Sequence, residues 1–304
     1  MQTGSHSLTT IDVGPLLDHE CDPSANAASI DRSCRELGFF LIDGHGIDPD
    51  LLPRLDTAAR QFFALPEHEK QRVAMSTAGP AWRGWFPLRG EVTSGRADRK
   101  EGFYVGVDHP ADHPRVIDGT PLHGRNVTPP GDLAPAVDAW MAALRPVADA
   151  VMRGLALGLQ LPGDWFVRQL TDDPTILFRI FRYPALADNA TSDEWGVGEH
   201  TDYGLVTLLA QDDAGGLEVR SPDGAWIDVP AEPGVLVCNI GDMLERLTEG
   251  RYRSTPHRVR NTSGVERLSF PYFFDPSWNA RVPVVPLDGS PPADDADRRW
   301  DRTS

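Results

Sequence analysis

Beyond Thr175 the chain breaks into short apolar runs set off by Gly, Pro and Asp, and that rhythm limits the fold more than any other feature. The runs cover residues 176–183, 205–211, 217–220, 225–229, 235–240 and 267–274. Runs this short and this regularly punctuated read as strands joined by turns, and a succession of them implies an all-β sandwich or barrel.

The first half reads differently. Ala27, Ile30, Cys34 and Leu37 recur at steps of three and four, and Gly38 closes the helix they define. Residues 39–42 form a buried strand, and residues 43–46 make a turn in which His45 is expected to be hydrogen-bonded. A second helix over about 49–65 presents Leu52, Leu55, Ala59, Phe62 and Phe63 and stops near Pro66. The longest helical pattern, 133–159, carries Val137, Trp140, Leu144, Val147, Val151 and Leu155 on one stripe, as a buttress for a sheet would. Pro146 should kink or split it. The class is therefore α+β, helical first and β second, around one core.

Between these halves, residues 78–107 look loop-like but aromatic, with Trp82, Trp85, Phe86, Phe103 and Tyr104 among several arginines. A lid and a long connection pinned by its rings fit equally well. His109, His113 and His123 lack ligand spacing and read as surface residues.

Lys and Arg total 29 against 45 Asp and Glu, a formal net charge of −16, which disfavours nucleic acid or an anionic membrane as partner. A small molecule suits that charge better. Part of it lies in an acidic tail over about 288–304. No apolar run approaches the roughly 20 residues of a membrane span, and the start shows no secretion signal. Cys21, Cys34 and Cys238 are too few and scattered for a disulfide framework, so a cytoplasmic location is expected.

The chemistry concentrates in His200-Thr201-Asp202. On a strand, positions two apart face the same way, so His200 and Asp202 can grip one ion. His257, at the start of another strand-like run, is the best third ligand. Two imidazoles and a carboxylate on a β scaffold match the facial arrangement of non-haem Fe(II) oxygenases, although zinc accepts the same donors. Ten residues on, Arg267 and Ser269 share a strand face and can hold one carboxylate. The same alternation groups Arg179, Phe181 and Tyr183.

These motifs together resemble the isopenicillin N synthase-like family of Fe(II)/2-oxoglutarate-dependent oxygenases. The likeness runs from Ile11 to Trp278 through Glu36-Leu37-Gly38-Phe39-Phe40, His45-Gly46-Ile47, Phe62-Phe63-Ala64-Leu65-Pro66, Asn239-Ile240-Gly241-Asp242 and Arg267-Leu268-Ser269. It implies one catalytic domain over 1–304. Within it lie an N-terminal dioxygenase-type region over about 8–110, a supporting helix over about 133–165 and a double-stranded β-helix (jelly-roll) core over about 175–280. It also implies that His200, Asp202 and His257 bind Fe(II), and that Arg267 and Ser269, helped by the Tyr183 hydroxyl, hold the distal carboxylate of 2-oxoglutarate. O2 would then be spent on hydroxylating or desaturating a small molecule of secondary-metabolite type, with succinate and CO2 formed, by a monomer. Many plant members have Asn-Tyr-Tyr where this chain has Phe181-Arg182-Tyr183, so the asparagine contact to the cosubstrate is missing. Candidates for the substrate pocket are Arg179, Phe181, Trp85, Phe103 and Trp195. Two alternatives stay open at this point: an iron oxidase of the aminocyclopropane carboxylate oxidase type that uses no 2-oxoglutarate, and a catalytically silent binding module.

Overall fold

The computed structural model describes residues 8–185 and 194–287. The acidic tail expected over about 288–304 lies outside them.

Fourteen strands are described in chain order. They are β1 (Thr10–Asp12), β2 (Phe39–Asp43), β3 (Gly84–Phe86), β4 (Val92–Thr93), β5 (Arg96–Ala97), β6 (Glu101–Gly106) and β7 (Pro174–Tyr183), then β8 (Val197–His200), β9 (Val206–Gln211), β10 (Leu217–Arg220), β11 (Trp226–Asp228), β12 (Leu236–Ile240), β13 (His257–Val259) and β14 (Arg267–Ser277). Eight form a major sheet in the order β1-β2-β12-β9-β14-β7-β6-β3, and four form a minor sheet, β11-β10-β13-β8.

Strand parity sorts the side chains into two cores. On β7, Ile176, Phe178 and Ile180 join a large cluster with the helices, whereas Phe181 and Tyr183 join a smaller one. That second cluster takes Leu217, Val219, Val197 and Val259 from the minor sheet and Phe39, Leu41 and Val237 from the major one, so it fills the space between the sheets.

Of the kink or split expected at Pro146, the split does not occur: the helix Leu133–Gly158 continues through it. A proline inside a helix costs about 3 kcal/mol. Leu144, Val147, Ala148, Val151 and Leu155 are all buried around it, each large one contributing about 1.5–3 kcal/mol, and this outweighs the lost backbone bond. The helix packs against its neighbours Ser24–Glu36 and Leu51–Phe63.

Gly38 ties this helical layer to the site. Its φ is +70°, its N–H donates to Ser33 O at 2.8 Å, and a Cβ there would collide with the carbonyl oxygen of Arg253. Only glycine allows that approach. Next to it, Arg253 N–H donates to Cys34 O (3.0 Å) and Thr255 Oγ1 donates to Leu37 O (2.6 Å), which fixes the entry to β13.

Two local expectations are corrected. The stretch 78–107 contains four short strands: β3 and β6 extend the major sheet beyond β7, and β4 and β5 form a separate hairpin whose Ser94 Oγ donates to Glu199 O (2.6 Å). His109, His113 and His123 are not three scattered surface residues. Their rings gather at centroid separations of 4.4 Å (His109 to His113) and 5.0 Å (His109 to His123), and His123 is 4 % exposed. Its burial is possible because Pro121 O and the Arg115 guanidinium satisfy its nitrogens. His45 does sit in a hydrogen-bonded turn, with Nε2 on Gly234 O and Nδ1 accepting from Ile47 N.

Candidate active site

β8 ends at His200 and β13 begins at His257, and the antiparallel register sets these two residues directly opposite each other. Cross-strand partners project from one face, which brings the imidazole centroids to 4.2 Å. Asp202 lies two residues past the end of β8 rather than on the strand, so turn geometry, not strand alternation, aims it. Its backbone carbonyl accepts from Asp242 N (2.7 Å), and its Oδ2 accepts from Thr207 Oγ1 (2.5 Å) and Asn239 Nδ2 (2.8 Å). That leaves Oδ1 facing the histidines, 3.8 Å from His200 Nε2 and 3.7 Å from His257 Nε2.

Each imidazole is oriented from behind. His200 Nδ1 donates to Gly198 O (2.8 Å) and His257 Nδ1 to Thr255 O (3.2 Å), so the Nε2 lone pairs point toward Asp202. One donor atom from each of the three residues fits within a 4.8 Å cluster. Burial, with His257 beside it, pushes His200 down to about 4. For Asp202 burial acts upward, but His257, His200, Asn239 and Thr207 outweigh it and hold the carboxyl below its usual range. At neutral pH the set is thus a carboxylate and a neutral His200 beside His257. Such an N,N,O donor set grouped on one side fits Fe(II) and leaves the opposite positions open.

Deeper between the sheets, β14 pairs with β7 so that Arg267 faces Tyr183 and Ser269 faces Phe181. Arg267 is fully buried. Its Nε donates to Gly215 O (2.6 Å) and one Nη to Gln211 Oε1 (3.1 Å), while Nη1 is buried without a partner among the described residues. Ser269 Oγ and the Tyr183 hydroxyl are 3.3 Å apart, and the guanidinium carbon lies 4.8 Å from the Tyr183 ring centroid. An unpartnered guanidinium N–H in the interior costs more than the roughly 1–3 kcal/mol of a neutral donor. Beside two hydroxyls it forms a receptor suited to a carboxylate, and the residues present fit 2-oxoglutarate.

The expected pocket residues divide by strand parity. Arg179 shares the Tyr183 face of β7, and Phe181 lies on it within the inter-sheet cluster. Trp85 and Phe103 do not. They belong to the helix-side core, where Trp85 Nε1 donates to Glu101 Oε2 (2.9 Å) and Phe103 packs edge-on to Phe62. Trp195 is also displaced, its ring covering Arg258 at 4.3 Å on the face of β13 opposite His257. The inward residues are instead Phe86 and Tyr104, whose rings lie 6.4 and 6.0 Å from that of Phe181. One position of parity separates each from the residue expected. Lys100 joins them, 4.4 Å above the Phe181 ring and paired with Asp98 and Glu91. Thr207 and Asn239 carried their own signals: a lone hydroxyl inside an apolar run, and the Asn239-Ile240-Gly241-Asp242 motif.

The fold and site define a jelly-roll protein of the facial two-histidine, one-carboxylate class. A family model described as "2OG-Fe(II) oxygenase superfamily" matches residues 174–276, and one described as "non-haem dioxygenase in morphine synthesis N-terminal" matches 8–131. The chain is 44 % identical over 296 residues to a probable iron/ascorbate oxidoreductase of Dictyostelium discoideum, covering 90 % of this chain and 81 % of that one. It is 35 % identical over 300 residues to a 2-oxoglutarate-dependent dioxygenase of Monascus ruber, covering 93 % and 88 %. A full-length Neurospora crassa protein, crystallised in complex with alpha-KG and thymine, superposes at a TM-score of 0.80 with 27 % identity, covering 94 % of this chain and 91 % of that one. The chain belongs to the 2OG-Fe(II) oxygenase superfamily, and it is an Fe(II)/2-oxoglutarate-dependent dioxygenase acting on small molecules. Among the described residues, no helix is long and apolar enough to cross a membrane.

Proposed function

We propose that His200, Asp202 and His257 hold Fe(II) and that Arg267, Ser269 and the Tyr183 hydroxyl hold the distal carboxylate of 2-oxoglutarate, for hydroxylation or desaturation of a secondary-metabolite-type substrate. The observation that carries the cosubstrate assignment is the buried, unpartnered Nη1 of Arg267 on the strand face it shares with Ser269. When bound, iron would activate O2, the oxidant, while 2-oxoglutarate would supply two of the electrons and leave as succinate and CO2. The chain's own part is placement. Thr207 and Asn239 lock Asp202, the Gly198 and Thr255 carbonyls lock the histidines, and Arg267 neutralises the inner end of the dianion. Phe181 presents a ring where an amide would contact the cosubstrate. The same reading takes the chain as one catalytic domain working as a cytoplasmic monomer without nucleic acid or membrane, supported by the net charge of −16 and three unpaired thiols.

Anaerobic addition of Fe(II) and then 2-oxoglutarate tests the assignment. Wild type should develop the visible charge-transfer band of the chelate, and Arg267→Ala should need far more cosubstrate to do so. If wild type develops no band, the assignment is wrong. Consumption of O2 without succinate would identify an oxidase of the 2-oxoglutarate-independent type.

A further inference from the structure

Arg179 is a cation on the inner wall of the barrel that forms no ion pair among the described residues. It sits on β7 on the face that carries Tyr183, and it is half-buried. Its guanidinium carbon lies 4.3 Å from the ring centroid of Tyr104 and 4.8 Å from that of Phe273. These rings come from β6 and β14, the strands on either side of β7, so the group is flanked from both sides. Its side chain makes no hydrogen bond or ion pair among the described residues. Ring contacts occupy the faces of a guanidinium and leave its in-plane N–H donors free.

Its surroundings do not neutralise it. Arg83 lies within electrostatic reach, is 2 % exposed and gives one Nη to Leu122 O (2.7 Å). Asp275 lies within electrostatic reach, but burial pushes its carboxyl up to about 7, and it forms no ion pair with Arg179 among the described residues. Glu91 is taken by the Tyr104 hydroxyl and Lys100.

The strand register places Arg179 at the level of the iron ligands. Asp202 is hydrogen-bonded by Thr207, Thr207 pairs across strands with Phe273, and the Phe273 ring contacts Arg179. Arg267, by contrast, pairs with Tyr183, four residues and about 13 Å further along β7. The four C–C bonds of 2-oxoglutarate, about 1.5 Å each, limit its length to about 6 Å. Two arginines at two depths thus suit two different anions.

Resting on the cosubstrate reading above, we propose that Arg179 is the specificity residue that receives a carboxylate of the substrate, so that the enzyme oxidises a small carboxylic acid with an apolar body. The planar acid enters between Tyr104 and Phe273, and the apolar part lies along Phe86 and Phe181. A planar anion suits this slot better than a tetrahedral one, since a single fork-shaped donor set flanked by rings is all it offers.

The test uses the anaerobic Fe(II)/2-oxoglutarate enzyme with phenylacetate, cinnamate, hexanoate and indole-3-acetate, each beside its primary amide. In wild type at least one acid should perturb the charge-transfer band with a dissociation constant roughly 10- to 100-fold below that of its amide. Arg179→Gln should erase that gap while the chelate forms at unchanged 2-oxoglutarate concentration, and Arg179→Lys should keep part of it. No acid outperforming its amide in wild type, or an intact gap in Arg179→Gln, overturns the proposal. So does a chelate weakened in Arg179→Gln as in Arg267→Ala, which would assign Arg179 to the cosubstrate. Calorimetric titration of the same pairs into metal-free wild type and Arg179→Gln reads the gap without the band. A missing band then counts against the cosubstrate assignment, and a missing gap against Arg179.

Discussion

Removing either donor to Asp202 Oδ2 should weaken iron binding without unfolding the protein. Thr207 and Asn239 are 4 % and 3 % exposed, and their bonds of 2.5 and 2.8 Å converge on one oxygen of a carboxylate that is itself 9 % exposed. A hydrogen bond to a charged group contributes roughly 1.5–3 kcal/mol. Partners that orient a metal-binding side chain typically account for about 10- to 100-fold in metal affinity. That corresponds to about 1.4–2.7 kcal/mol, so the two magnitudes agree. Thr207→Val keeps the side-chain shape and removes the donor, and Asn239→Leu removes the other. Each should weaken Fe(II) binding about 10- to 100-fold in anaerobic equilibrium dialysis. The double variant should lose less than the product of the two, because both bonds serve one oxygen. There is also a pH signature. Asn239 and Thr207 help hold the Asp202 carboxyl low against its burial, so their loss moves it up, and iron release in acid should begin at higher pH than in wild type. Affinity within twofold of wild type in both single variants, with Asp202→Asn unable to bind iron, would refute the idea that these bonds aim the carboxylate.

Ser269→Ala should raise the 2-oxoglutarate concentration needed for half-maximal charge-transfer absorbance by roughly tenfold, since one hydroxyl of the receptor is lost, and iron affinity should not change. In the metal-free protein, His200 is held at about 4 against an ordinary 6.5. Between those values the unfolded chain binds the proton and the folded one does not, so the contribution of His200 to stability grows as pH rises and is lost as pH falls. The stability difference between wild type and His200→Gln should change by up to about 3 kcal/mol across that window in denaturant titrations. Gly38→Ala should cost more than about 1–2 kcal/mol, because the positive φ and the collision with Arg253 O both oppose it; denaturant midpoints measure this. Phe103→Ala should lower stability by about 3–5 kcal/mol through a cavity on the helix side, with 2-oxoglutarate affinity unchanged in the folded fraction.

Local pattern was enough wherever one residue's chemistry and one period carried the message. Arg267 and Ser269 share a face because a strand alternates, and that alternation is written in 267–274. The helix Leu51–Phe63 and its buried face were equally legible from spacing. His200 and His257 could be named as candidates, yet their meeting depends on a pairing between residues 57 apart, which only the sheet register supplies. Asp202 was found by an argument that holds for strands, although the structure aims it from a turn with Thr207 and Asn239 behind it.

Two misassignments share one physical cause. Trp85 and Phe103 were expected inside, but which side a strand residue faces depends on where the strand begins, and a slip of one position inverts the answer. Residues 78–107 hold short strands interrupted by Gly and Pro, so their starting points are set by pairing with β7 and not by local propensity. By itself, then, the sequence determined the α+β class, a two-histidine, one-carboxylate donor set and an arginine and a serine on one strand face, because these follow from periodicity and from the donor chemistry of single side chains. The tertiary structure alone decided what surrounds them: the donors locking Asp202, the rings lining the barrel, and the rings flanking Arg179, each a product of contacts between segments far apart in the chain.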